Sequence, residues 1–266
     1  MSHHPINGCS YFYTDTGDGD ETLVFGHGFL MTHRMWDPLI DALSDHYRCV
    51  AFDWRGQGRS EVTESGYDVP DLARDVVALI DELGLGRVHY VGLSMGGFVG
   101  FDLLAHHSDR LASALLLDSS AEAEPLRNRL QYYAMLEAVK RIGYEPVIDR
   151  VVPMLFGPTF REEQPEALRT WIDRITAQDR TGIYRAGRGI FRREGVLSAL
   201  GQARTPTLLL VGADDRATPP ERSEKAHDAL PNSQLVILPR SGHSSAIERP
   251  DAVTHHIETF LDERAT

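Results

Sequence analysis

Cysteine is almost missing from this chain of 266 residues: only Cys9 and Cys49 occur, far apart. So few thiols exclude both a disulfide-stapled scaffold and a cysteine zinc knuckle. Cys49 falls in the apolar run Tyr47 to Phe52, so it reads as a buried thiol, and no disulfide is expected. Positive charge is also scarce. Lys and Arg number 27 against 39 Asp and Glu, a formal net charge of −12 that does not gather nucleic-acid phosphates or anionic lipid. No apolar run is long enough to cross a bilayer, and Met1 to Pro5 holds no basic region leading into an apolar one. A cytoplasmic protein without nucleic-acid or membrane partners is therefore expected. The phosphate-cradling G-x-x-x-x-G-K-S/T and the zinc-binding H-E-x-x-H are both absent. Gly56-Gln57-Gly58-Arg59-Ser60-Glu61 starts like a dinucleotide fingerprint but ends in glutamate and reads as a loop. No metal or organic cofactor is implied, and no repeat or low-complexity tract is visible.

What the chain has is hydrophobic content, 42% of residues, enough for one domain with a sizeable core. Short apolar runs alternate with stretches of helical period, the pattern of an α/β architecture with a mostly parallel sheet. Tyr11 to Thr14 and Thr22 to Phe25 predict strands parted by the turn Thr16-Gly17-Asp18-Gly19, and Tyr47 to Asp53 predicts a buried one. Val69 to Leu83 predicts a helix with Leu72, Val76, Leu79, Ile80 and Leu83 on one stripe, ended by Gly84 and Gly86. After the apolar strand Leu111 to Leu117 the alternation stops. Residues 122–202 read as consecutive helices, with stretches at Arg127 to Val139, Glu145 to Leu155, Pro165 to Ala177 and Tyr184 to Leu200. It resumes with strands at Pro206 to Val211 and Gln234 to Leu238, a helix from Pro220 to Leu230, and a closing helix carrying Val253, Ile257, Phe260 and Leu261. Residues 1–121 and 203–266 then form one core, and 122–202 a helical lid over the strand ends, where open α/β sheets bind ligands.

The centre of the chain is Val91-Gly92-Leu93-Ser94-Met95-Gly96-Gly97. A strand that turns at once into a helix strains the residue at the turn, and glycines two positions either side let the neighbouring backbones approach. Ser94 is thereby presented at the top of a sheet as a nucleophile. A serine hydroxyl needs a base, and a base needs an orienting acid. Of the 12 histidines only His27 and His243 follow a strand end with glycine beside them. His243, in Pro239-Arg240-Ser241-Gly242-His243-Ser244-Ser245, is the candidate base, and His27 reads as a structural loop residue. For the acid, Asp214 and Asp215 follow the penultimate strand and Asp118 ends another, and the residues alone do not separate them. The oxyanion of an attacked carbonyl requires two backbone N–H donors. Met95, directly after the serine, supplies one, and Phe29 in Gly26-His27-Gly28-Phe29-Leu30 the other. In the lid, Tyr132, Met135, Met154, Phe156, Trp171, Tyr184 and Phe191 are candidates for an apolar acyl pocket. Arg188 and Arg192 could pair with a substrate carboxylate.

With these residues assembled, the chain from 25 to 250 resembles the α/β-hydrolase superfamily. The resemblance rests on His27-Gly28-Phe29, Asp53-Trp54-Arg55-Gly56-Gln57-Gly58-Arg59-Ser60, Gly92-Leu93-Ser94-Met95-Gly96, Gly212-Ala213-Asp214-Asp215 with Pro219, and Gly242-His243, in that order. It implies helices on both faces of the sheet, a helical lid after the sixth strand, and Asp215 as the acid. Within the superfamily the chain looks most like the group of 3-oxoadipate enol-lactonases, carboxylesterases and acyl-homoserine lactone hydrolases, although Gly26-His27-Gly28-Phe29 departs from the enol-lactonases' oxyanion loop. Haloalkane dehalogenases and epoxide hydrolases carry aspartate where this chain has Ser94. The expected activity is a serine hydrolase of small carboxylic esters or lactones acting through an acyl-enzyme, with that small molecule as its partner. A cofactor-free perhydrolase using the same residues, suggested by the serine-methionine pair, and a lidded ligand receptor are the alternatives. Oligomeric state is not encoded in any pattern found.

Overall fold

A computed structural model describes residues 2–265. The chain runs β1 (Ser2–Ile6), β2 (Cys9–Thr16), β3 (Thr22–Gly26), α1 (Asp37–Leu43), β4 (Arg48–Phe52), α2 (Val69–Glu82), β5 (Val88–Leu93), α3 (Met95–His106) and β6 (Leu111–Leu117). Five helices follow: α4 (Leu126–Ile142), α5 (Glu145–Leu155), α6 (Pro158–Glu163), α7 (Pro165–Thr176) and α8 (Arg180–Phe191). The chain then returns to the sheet with β7 (Thr207–Gly212), α9 (Pro220–Ala229), β8 (Ser233–Leu238), α10 (Ser245–Glu248) and α11 (Pro250–Ala265). The eight strands form one sheet in the order β1-β2-β4-β3-β5-β6-β7-β8. β1 and β2 join antiparallel at one edge, and every pairing from β4 onward is parallel.

The central strands are buried on both faces, which is why they read as continuous apolar runs rather than alternating ones. Successive side chains still point to opposite sides. Val24, Tyr90 and Leu116 pack with Val76 of α2 and Val99 of α3 in one core. Leu23, Phe25, Val91, Leu115 and Leu117 pack with Leu39 of α1 and Ile257 of α11 in the other. Both cysteines are free and buried. Among the described residues, no helix is long and apolar enough to cross a membrane.

Several elements differ from the sequence reading, among them the short helices α6 and α10, which it did not mark. β1 was not anticipated, because its edge segment Ser2 to Pro5 is largely exposed and shows no apolar alternation; it pairs antiparallel with β2, His3 packing edge-on against Phe12. The single helix expected from Tyr184 to Leu200 is instead α8 followed by a break and a short 3-10 turn at Leu197–Gln202. The break is tertiary: Val196 N–H donates to Ala121 O at 2.8 Å, and a side chain at Gly195 would meet Ala123 N at 2.8 Å.

The turn between β5 and α3 depends on backbone contact with β3. A Cβ placed on Gly96 would lie 2.0 Å from Gly26 O, and one on Gly92 would lie 2.4 Å from Gly96 O. Gly96→Ala is therefore expected to destabilise the protein by about 1–3 kcal/mol or more through overpacking. Denaturant titration checks this, and an unchanged midpoint would refute the contact.

Candidate active site

Ser94 sits at φ +52°, ψ −109°, a conformation that L residues rarely adopt. Its backbone is held from three sides. Ser94 N–H donates to Leu117 O at 2.9 Å, and Ser94 O accepts from Phe98 N–H at 2.8 Å and Ser119 Oγ at 2.9 Å. The side chain is consequently aimed outward from the carboxyl end of β5, with the first turn of α3 behind it.

The loop after β8 brings His243 to that hydroxyl. Its Nε2 lies 2.8 Å from Ser94 Oγ, and its Nδ1 lies 2.8 Å from Asp215 Oδ2 and 3.0 Å from Oδ1. An imidazole that donates from Nδ1 to a carboxylate presents Nε2 as an acceptor, so the serine O–H donates to it. Asp215 is itself fixed. Oδ1 accepts from the Ala217 and Thr218 amides at 2.8 and 2.9 Å, and Oδ2 accepts from Thr218 Oγ1 at 2.9 Å. All three side chains are buried. Burial opposes protonation of His243, but the charge and hydrogen bond of Asp215 outweigh it, with Asp118 and Glu248 adding, so the imidazole sits above its ordinary value.

The three carboxylates left open by the sequence are separated by geometry. Asp214 is exposed, while Asp215 turns inward to the imidazole. Asp118 is fully buried at φ +46°, but its oxygens accept the amides of Gly212 at 2.8 Å and Ser245 at 3.0 Å. Burial first, and the charge of Asp215 second, push the Asp118 carboxyl well above the usual range.

The loop after β3 carries Phe29. Its amide shares a peptide plane with Gly28 O, and that carbonyl accepts from Met31 N–H at 3.0 Å and from His27 Nδ1 at 2.8 Å. His27 Nε2 in turn accepts from Trp54 N–H at 3.0 Å. The histidine read as structural thus orients the peptide whose N–H is the expected oxyanion donor. Met95, first residue of α3, has no intrahelical acceptor for its amide.

A cavity of about 110 Å3 opens beside Ser94 and His243. Tyr132, Met135, Met154 and Phe191 line it, as expected. Phe156, Trp171, Tyr184 and Arg188 do not. Phe156 stacks on Phe160 at 5.4 Å, and Trp171 is buried beneath Arg174. Tyr184 donates to Glu137 at 2.6 Å, and Arg188 covers the ring of Tyr133. Arg192 pairs with Asp68 instead of facing the cavity. The wall is built chiefly from aliphatic side chains that the sequence reading passed over: Leu136 and Val139 of α4, Val147, Ile148, Val151 and Leu155 of α5, and Ile183 and Ile190 of α8. Positions 132, 135, 136 and 139 follow helical spacing, so the signal was present in the apolar stripe. Among the described residues, no group of three or more His, Cys, Asp or Glu is placed to hold a metal ion.

An eight-stranded, largely parallel sheet with a serine at a strained strand-to-helix turn defines an α/β-hydrolase architecture. The sequence agrees: residues 21–250 match the α/β-hydrolase fold family, and the chain belongs to it. A thermophilic esterase from Thermogutta terrifontis, solved with malate bound, superposes over 100% of both chains with a TM-score of 0.94 at 29% identity. The enol-lactonase from Burkholderia xenovorans LB400 covers 98% of this chain and 99% of its own, with a TM-score of 0.91 at 28% identity. The Agrobacterium fabrum protein RutD, provisionally named a carbamate hydrolase, is 28% identical over 251 residues, which is 90% of this chain and 92% of that relative.

Burial holds His27 neutral, with its pKa lowered from 6.5 to about 4 despite the opposing charge of Asp53. As pH falls through that interval the unfolded chain takes up a proton that the native protein refuses. Stability present above 6.5 is therefore lost toward 4, by up to about 3 kcal/mol. The stability gap between the parent and His27→Gln should narrow across this window in denaturant titrations, and a constant gap would contradict it.

Proposed function

We propose that this protein is a serine hydrolase that cleaves small carboxylic esters or lactones through an acyl-enzyme. The observation that carries the reading is the continuous hydrogen-bonded line from Ser94 Oγ through His243 to Asp215, with 2.8 Å on each side of the imidazole, opening on an apolar cavity. Ser94 Oγ attacks the carbonyl carbon while His243 Nε2 takes its proton. Asp215 holds the tautomer and stabilises the imidazolium. The carbonyl oxygen becomes an anion held by the Phe29 and Met95 amides, each worth about 3 kcal/mol of transition-state stabilisation. Collapse expels the alcohol, which leaves with the proton from His243. Water, activated by the same imidazole, then attacks the acyl-enzyme, and the carboxylic acid departs.

The cavity favours a small apolar acyl group. Its volume of about 110 Å3 is close to that of an engineered cavity of about 150 Å3 that accepts benzene. Segment 122–202 acts as the lid, since α4, α5 and α8 contribute most of the wall. The esterase and enol-lactonase among the relatives support ester and lactone carbonyls as the chemistry.

Short-chain p-nitrophenyl esters and small lactones test the reading. Ser94→Ala is expected to abolish their turnover, and Asp215→Asn to lower kcat on the order of 10⁴-fold. Asp214→Asn should leave it unchanged, because that side chain is exposed. Full turnover by Ser94→Ala would reject the mechanism. Peracid formation from acetate and peroxide without ester cleavage would point to the perhydrolase instead.

The pH profile gives a second check. Protonated His243 cannot accept the serine proton, and its pKa lies above the ordinary 6.5, so kcat/KM should fall as pH drops through a midpoint above that value. An acid limb centred below 6.5 would contradict this.

A further inference from the structure

Glu248, the last residue of α10, has no part in the proton line just described, yet its carboxylate is the most heavily used backbone acceptor near it. Glu248 is buried. Oε2 accepts Gly242 N–H at 2.8 Å and Oε1 accepts Ser244 N–H at 3.2 Å, so the amides on both sides of His243 end on one side chain. Gly157, between α5 and α6, donates its amide to both oxygens at 3.2 Å. Two glycines make this approach possible. A Cβ on Gly157 would lie 2.7 Å from Gly242 N, and a Cβ on Gly242 would lie 2.2 Å from Gly157 N. The helical insertion and the histidine loop therefore touch backbone to backbone, with one carboxylate closing the seam.

Resting on the hydrolase reading above, we infer that Glu248 is a positioning residue, which locks His243 to the helical insertion so that the seating of the insertion sets the alignment of the imidazole with Ser94. The loop from Pro239 to Ser244 lies outside the strands and helices, and the Glu248 carboxylate binds the amides of both Gly242 and Ser244. Without it, two buried N–H groups beside the base lose their acceptor. Such groups seek other partners, and the loop that carries His243 moves with them. The same shift reaches the cavity wall, because α5, which ends just before Gly157, contributes Val151 and Leu155 to it. Filling of the cavity and alignment of the base thus become one structural event.

Two substitutions and two readouts test this. Glu248→Gln keeps the shape but turns one oxygen into an NH2 donor facing N–H donors. Gly157→Ala keeps the carboxylate and wedges the seam with a methyl group. Each variant's kcat on a p-nitrophenyl ester is expected to fall by about tenfold to a hundredfold, the cost of a roughly 1 Å misplacement of a reacting group. For Glu248→Gln, KM should stay close to the parent value. The second readout needs no substrate: NMR titration of the His243 imidazole. The carboxyls of Asp215, Asp118 and Glu248 all act to raise it, so replacing one by an amide should lower the imidazole pKa in Glu248→Gln. Parent values of both kcat and imidazole pKa in Glu248→Gln would overturn the positioning role. Parent kcat in folded Gly157→Ala would overturn the link to the insertion, and this variant decides the matter should Glu248→Gln fail to fold. A parent protein that cleaves no ester would instead reject the hydrolase reading, while the imidazole titration would still report on the clamp.

Discussion

The contact between the turn at Ser94 and the end of β3 is the constraint on which the site rests. Gly96 lies against the carbonyl of Gly26 so closely that no Cβ fits, and this pulls the β5–α3 turn down onto the sheet. Holding a serine at φ +52° costs on the order of 1–3 kcal/mol. The conformation persists because Leu117, Phe98 and Ser119 fix its amide and carbonyl from the neighbouring strand, helix and loop. Position follows from sheet order. β5 lies between β3 and β6, with β7 and β8 next in line, so the loops after β3, β7 and β8 reach the serine from opposite sides. The first brings amide donors and the other two bring the carboxylate and the imidazole.

Burying Asp118, Asp215 and Glu248 around a single imidazole is expensive unless each carboxylate is well supplied with donors. The donors are mostly backbone amides in loops, which have no strand or helix partner and are therefore free to serve. The division of labour is geometric rather than chemical. Asp215 alone touches the imidazole, Asp118 joins the end of β7 to the start of α10, and Glu248 joins the histidine loop to the helical insertion. The same side-chain chemistry orients an imidazole in one place and fastens loops in two others. Removal of either fastener leaves the proton line intact on paper but unsupported in space.

How much of this was legible in the sequence follows from how local each signal is. The elbow was readable because glycine spacing around Ser94 and the apolar run before it lie within one short stretch. The buried strands were readable because their side chains face two cores and leave no polar alternation. The choice between Asp214 and Asp215 was not readable from the residues, since adjacent carboxylates differ only in which side of one turn they face. It was the resemblance to a family that favoured Asp215, the residue found against the imidazole. His27 shows the reverse case. It was recognised as a loop residue, but its hold on the Gly28–Phe29 peptide depends on Trp54 from a distant loop, which no local pattern reveals.

The helical insertion was the least legible part, for a physical reason. Helical period tells which side chains share a face, but an insertion has one face toward the sheet edge and cavity and another toward its own neighbouring helices. Aromatic residues looked like the natural lining, yet Phe156, Trp171 and Tyr184 serve contacts within the insertion or at its surface. Leucine, isoleucine and valine make up much of the cavity wall, beside Tyr132, Met135, Met154 and Phe191, and their branched side chains offer shape but no hydrogen bonds. A wall of that kind grades ligands by volume. One methylene in such a pocket is worth about 1–3 kcal/mol, so it separates a short acyl chain from a bulky one without rejecting close homologues. On the proposed reading the carbonyl must also meet the Phe29 and Met95 amides while Ser94 attacks. On that reading a ligand is chosen by how deeply it fills the cavity and whether its carbonyl then reaches the strained turn.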